Sequence, residues 1–427
     1  MLTLRRLGDA LSLQEREGPP VALAALYGFC ILFAYYLLRP VRDEIAAADR
    51  GNLQVLWTAV FLVMLLAVPL YSTAVARLRR GLFIPLANRF FAVNLLLFYA
   101  ALVLLPESAR PWIDRTFYVW LSVFALFVVT IFWGLVVDLF RDEQGRRLFG
   151  LIAVGASLGG IAGSATTAAL AGHLPVFVLL LIAVLPLEVA NWLARALDRR
   201  AEHAPTQLQR EPEAPIGGSA FSGIALVFHD PQLRRIAAWI LLMTFASTML
   251  YFLQANLLGE AVTDRGERRE FLARIDLAVN LLTLTGQALL AAPLIARLGL
   301  GVTLALLPMV AATGFAVLGS ALLALPTGPT LAALAVVRVL YDATRHALAK
   351  PAREVLFTRV PREARYKSKA FIDAAVYRGG DLLSGWCYVG LVAIGLGGGL
   401  IALLAVPVAI VWALLGRRLA GALATGS

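Results

Sequence analysis

The chain has 427 residues, 60% of them hydrophobic and only 15% charged, with a formal net charge of +11. That composition argues against a soluble domain, and the two cysteines and four scattered histidines argue against a disulfide framework or a metal-binding spacing. No G-x-x-x-x-G-K-[ST] phosphate loop is present, so an ATP-driven pump is not expected, and neither is any cofactor.

The first 20 residues are polar and lack an apolar core with a cleavage site, so no signal peptide is expected. Twelve long apolar runs come next, at 21–38, 53–76, 83–105, 117–139, 148–171, 175–194, 236–258, 273–296, 301–325, 331–349, 370–394 and 397–415. A membrane-crossing helix needs roughly 20 apolar residues, and each run approaches or exceeds that length. Open sheet edges cannot be satisfied in lipid, so the spans are helices. The expected fold class is an all-α polytopic membrane protein with twelve transmembrane helices.

Charge sets the orientation. With the N-terminus inside, 25 Lys and Arg fall in cytoplasmic segments and nine in the opposite ones, which are Arg39, Arg42, Arg50, Arg110, Arg115, Arg265, Arg268, Arg269 and Arg274. The positive-inside rule places both termini in the cytoplasm, and the basic excess reads as topology rather than nucleic-acid binding. The longest polar interruption runs from Arg195 to Arg235, with a Pro-, Glu- and Gly-rich core at 199–219 that reads as a linker. Expected boundaries are a first half at 1–198, a cytoplasmic linker at 199–222 and a second half at 223–427. Asp230-Pro231 is an N-cap with Pro in the first turn, and opens the next helix. Short echoes link the halves: Arg77-Leu78 with Arg297-Leu298, and Arg147-Leu148-Phe149 with Lys369-Ala370-Phe371. Six plus six parallel halves resemble the major facilitator superfamily, whose site lies near the bilayer midplane. The acid usual after that superfamily's second span is missing from the stretch Tyr71–Arg77.

Ionisable groups inside membrane helices are costly, and each is a functional hypothesis. Span one ends Tyr35-Tyr36-Leu37-Leu38-Arg39-Pro40-Val41-Arg42-Asp43-Glu44. One reading is an interfacial aromatic belt with snorkelling arginines. The other continues the helix, so that Arg39 and Arg42 face an anion, Asp43 pairs with Arg39, and Tyr35 or Tyr36 stacks on a base. Asp138 and Arg141 close span four as a conformational latch. Span five carries Gly155, Gly159 and Gly163, which allow close helix approach. Glu188, Asp276 and Arg89 are expected to snorkel or pair locally.

Span ten holds Arg338, Asp342, Arg345 and His346, and spacings of three and four put the first three on one face. Either that face is a self-neutralising ladder or Arg338, the deepest, serves a substrate. In span eleven Asp373, Tyr377 and Asp381 recur every four residues as a polar stripe beside Arg378. Asp373 is expected to be paired. Asp381 is left open between an ion pair and a proton carrier.

These charged segments resemble the ATP/ADP translocase family, the bacterial and plastid nucleotide exchangers of the facilitator superfamily. Leu38-Arg39-Pro40-Val41-Arg42-Asp43 matches an Arg-x-x-Lys/Arg-Asp pattern. A second stretch runs from Phe132-Trp133 through Asp138 to Arg147-Leu148-Phe149-Gly150. The third holds Pro351-Ala352-Arg353-Glu354, Lys367-Ser368-Lys369-Ala370-Phe371-Ile372-Asp373 and Arg378-x-Gly380. Two departures stand out. Asp381 replaces the family's lysine after Arg-x-Gly, and no acid appears around Tyr118–Ser122. The resemblance implies a free-standing bacterial inner-membrane transporter that exchanges nucleotides or related phosphorylated anions. Arg39, Arg42, Tyr35, Tyr36, Arg338 and Arg378 would bind substrate. Asp43, Asp138, Arg141, Asp342, Arg345, Arg353, Glu354, Lys369, Asp373 and Asp381 would couple or gate. The partners implied are an anionic small molecule and the lipid bilayer, without nucleic acid, and a monomer is expected. The alternatives are proton-coupled movement of another solute and a non-transporting membrane scaffold or sensor. An enzyme is not expected, because no nucleophile–base pair has catalytic spacing.

Overall fold

The computed structural model describes residues 17–78, 80–140, 142–202, 222–357, 368 and 371–424. All regular structure among them is helical. The α-helices are α1 (Gly18–Ala48), α2 (Leu53–Arg77), α3 (Arg80–Leu104), α4 (Arg110–Leu139), α5 (Asp142–Leu170), α6 (Val176–Glu202), α7 (Ser222–His229), α8 (Pro231–Ala261), α9 (Arg265–Leu289), α10 (Ala291–Ala324), α11 (Thr327–Thr344), α12 (Lys350–Phe357), α13 (Tyr377–Ala393) and α14 (Gly398–Ala424). The expected N-cap forms: the Asp230 side chain accepts from the Gln232 and Leu233 backbone amides at the start of α8.

Among the described residues nine helices are long and apolar enough to cross a membrane, namely α1 to α6, α8, α10 and α14. The other three apolar runs fall on α9, α11 and α13. There the apolar pattern is interrupted. Helix α9 opens on the charged stretch Arg265–Asp276. Helix α11 passes through a π-turn, Arg345–Ala349, into α12, and a second π-turn, Ile372–Val376, precedes α13. In both turns the backbone bond spans five residues, Lys350 N–H to the Arg345 carbonyl and Tyr377 N–H to the Ile372 carbonyl. One residue too many per turn rotates the rest of the helix by about 100°. Tyr377 and Asp381 both lie on α13, one turn apart, after the second π-turn.

The chain packs as two compact units. The first comprises Met1–Ile45, Leu62–Glu213 and Asp264–Leu277. Its centre is α1 against α5. A Cβ at Gly155, Gly159 or Gly163 would lie under 3.0 Å from the backbone of Ala25, Phe29 or Phe33 respectively, so the two backbones touch, as the small-residue spacing anticipates. Thr167 Oγ1 donates to the Leu37 carbonyl at 2.7 Å and fixes the register of the pair close to Arg39. Helices α3 and α4 interlock through Phe91, Phe98, Phe117, Trp120 and Phe124.

The second unit comprises Ala46–Phe61, Ala214–Thr263 and Ala278–Ser427. Helix α8 is its buried axis, with Trp239 packed at 5.4 Å from Trp412 of α14. Helices α10 and α14 meet at Gly319 and Gly399. Gly299, at φ 76°, bends α10 near its start.

Candidate functional site

Among the described residues, buried charged clusters lie inside helices of both units. In the first unit α1 runs through Pro40 to Ala48, although proline removes a backbone donor from the helix interior. The continuation carries Arg39, Arg42, Asp43 and Glu44 inward. Arg39 is 8% exposed and Asp43 5%. Arg39 is therefore a core cation and does not snorkel. Its Nη1 lies 3.0 Å from Asp276 Oδ1 and its Nε 3.7 Å from Asp43. The Arg42 Nε and Nη2 both donate to Asp43 Oδ1, at 2.9 and 2.8 Å. Arg39 stacks over Tyr36 and Arg42 over Tyr118, with Tyr35 edge-on to Tyr36 at 5.0 Å. Asp276 corrects the expectation of local pairing: it sits mid-helix in α9, and its partner is 237 positions earlier in the chain.

One turn along α1, Glu44 is fully buried. Its two carboxylate oxygens accept from Arg265 Nε and Nη2, both at 2.8 Å, and Arg268 lies at 3.3 Å. Arg265 also contacts Asp114 at 2.7 Å, and Asp114 pairs with Arg110 at 3.0 Å. Burial on its own would lower the Arg265 pKa, but the Glu44 and Asp114 carboxylates outweigh it and raise it. Arg269, also buried, donates to the Ala171 carbonyl at 3.4 Å. Sequence reasoning counted these arginines only as topology charges. The signal was the dense Arg265–Arg274 run that gives way at once to apolar residues.

In the second unit the span-ten ladder forms as its spacing predicts. Arg338 Nε is 2.9 Å from Asp342 Oδ2, and Arg345 Nη2 is 3.0 Å from Oδ1. Arg338 and Asp342 are 4% and 1% exposed. One carboxylate thus serves two guanidinium groups, and Arg338 Nη1 is buried with no hydrogen-bond partner among the described residues. Arg345 Nη1 donates to Ser247 Oγ at 2.8 Å, and Arg338 lies over the Tyr251 ring. On α13 Arg378 stands 3.8 Å from Asp381, which accepts from Thr248 Oγ1 at 3.4 Å. A Cβ at Gly380 would strike Thr244, so α13 and α8 are in close contact there.

Sequence reasoning missed the α8 face that joins these residues. Thr244, Ser247, Thr248 and Tyr251 recur at helical spacing and meet Gly380, Arg345, Asp381 and Arg338 in turn. A polar i, i+3, i+4, i+7 pattern in an apolar helix was the available signal. Of the other expected residues, Arg353 pairs with the neighbouring Glu354 at 3.0 Å, and Glu354 is exposed. Asp138 is exposed in the last turn of α4. Arg141, Lys369 and the Asp373 side chain lie outside the described residues. Arg89 and Glu188 were expected to snorkel or pair locally. They pair with each other, at 3.3 Å, across α3 and α6.

No protein-family model and no curated protein matches the sequence. Solved structures do. A nucleoside transporter, NupG, superposes with a TM-score of 0.66 at 12% identity, covering 94% of this chain and 99% of that one. The POT family transporter PepTSo superposes at 0.65 and 15% identity, covering 94% and 98%. A POT family transporter in complex with 5-aminolevulinic acid gives 0.61 at 11%, covering 94% and 96%. At such identity the likeness defines the fold. The chain shares the all-α fold of these structures, and its long apolar helices make it a polytopic membrane protein.

Proposed function

We propose that this protein is a secondary transporter that exchanges nucleotides or related phosphorylated organic anions across a bacterial inner membrane, with both termini cytoplasmic. The observation that carries this reading is the buried Arg338–Asp342–Arg345 set. Two guanidinium groups converge on one carboxylate in a low-dielectric interior, and Arg338 Nη1 has an unused donor. A phosphate oxygen would satisfy that donor, because guanidinium–phosphate contacts are charge-assisted and directional. Arg378 is a third, partly exposed cation near the same α8 face. Tyr251 offers an aromatic surface beside Arg338. Facilitator-fold neighbours that are transporters by name support a transport role, and the resemblance to nucleotide exchangers supports phosphate in the cargo.

The test is ligand-induced stabilisation of the purified protein. ATP and ADP should raise its apparent Tm in proportion to log concentration, adenosine should not, and Arg345→Ala should remove the effect. Equal stabilisation by adenosine and ADP would contradict a phosphate-recognising site.

A second reading, proton-coupled transport, is favoured by one observation. Among the described residues Asp381 is held by a 3.8 Å contact to Arg378 and a long hydrogen bond from Thr248. If it carries a proton, Asp381→Asn should abolish the response of uptake to a pH gradient while leaving counterflow intact. Uptake indifferent to a pH gradient in the unsubstituted protein would remove this reading.

A further inference from the structure

The first unit carries an ion pair where a membrane protein has most reason to avoid one. Arg89 of α3 and Glu188 of α6 meet at 3.3 Å with side chains 52% and 46% exposed. Both helices belong to the membrane-crossing set. Glu188 stands seven residues from Arg195 along α6, about 10 Å of helix rise, and Arg89 stands nine from Arg80 along α3, about 13 Å. The surrounding surface is apolar and open: Leu86 and Phe90 on α3, Leu185 and Val189 on α6, all 41% exposed or more. Asn88 and Asn191, both buried, flank the pair, and Asn191 Nδ2 donates to Glu188 at 3.3 Å.

A charge that faces hydrocarbon is costly, and a lone arginine relieves the cost by snorkelling to the headgroups. Arg89 instead turns to Glu188 and holds both charges at the exposed face. We propose that this face is the contact surface for a second copy of the same chain. The patch is self-complementary in one arrangement only. A two-fold axis along the membrane normal brings Arg89 of one copy against Glu188 of the other at equal depth, twice, and closes a ring of four alternating charges. Polar side chains act in just this way between membrane helices, where apolar contact alone gives no preference over lipid.

The test uses cysteine cross-linking in native membranes. In a Cys387→Ser background, with Cys30 buried, Leu185→Cys should give a cross-linked dimer with a short bis-maleimide, several-fold above an exposed control on α14, Val411→Cys. Arg89→Glu and Glu188→Arg should each abolish the cross-link, because like charges then meet. Co-expressed with different tags, the two-acid and two-base variants should restore it, and only between tags. The proposal is overturned if Leu185→Cys cross-links no better than the control, leaving lipid over the pair, or if either charge variant cross-links like the parent. Should a charge variant fail to fold, the Leu185→Cys comparison alone decides.

Discussion

At the scale of single residues, a buried cation is held by whichever carboxylate reaches it. Arg39 takes Asp276 at 3.0 Å, and both groups are nearly sealed from solvent. Breaking such a pair leaves a desolvated charge and costs about 3–5 kcal/mol. Asp276→Asn should therefore lower the apparent Tm clearly, whereas Glu267→Gln at an exposed position of the same helix should not. Scanning fluorimetry in detergent reads the difference. Asp381 makes the opposite case. Its carboxylate competes with any anion for Arg378, so Asp381→Asn should tighten ADP binding several-fold if that arginine contacts phosphate, as titration calorimetry would show. Weaker binding would mean that Asp381 positions Arg378 rather than masks it. Sequence spacing revealed the Arg338–Asp342–Arg345 ladder because its members share one helix, and spacings of three and four fix their neighbourhood. Arg39–Asp276, Glu44–Arg265 and Arg89–Glu188 were not legible in this way. Their partners lie 99 to 237 positions apart, and no local period encodes them.

At the scale of elements, small residues and proline shape where the charged groups sit. The α1–α5 contact depends on three glycines whose Cβ positions are already occupied by backbone. Gly159→Ala should destabilise the protein by about 1–3 kcal/mol through overpacking, while Gly150→Ala, which meets nothing within 4 Å, should leave the apparent Tm unchanged. This packing was legible, since glycines at intervals of four lie on one helix face. The two π-turns were not, because nothing in the residue types at Arg345–Ala349 or Ile372–Val376 marks a widened turn. They matter locally. The first begins at Arg345 and reorients α12 after it, and the second comes just before Arg378, so it sets the angular position of an arginine proposed to meet the substrate.

At the scale of the whole molecule, apolar length and the cost of open sheet edges in lipid point to the helical membrane class, and nine helices meet the length standard among the described residues. The cargo belongs to a finer level, that of a few guanidinium groups and what completes them. The most direct measurement is uptake of labelled ADP into proteoliposomes loaded with or without unlabelled nucleotide. The account predicts uptake that requires internal nucleotide and falls at least tenfold, about 1.4 kcal/mol of transition-state stabilisation, in Arg345→Ala. Uptake that is absent from a folded preparation, or that ignores the internal nucleotide, would contradict it.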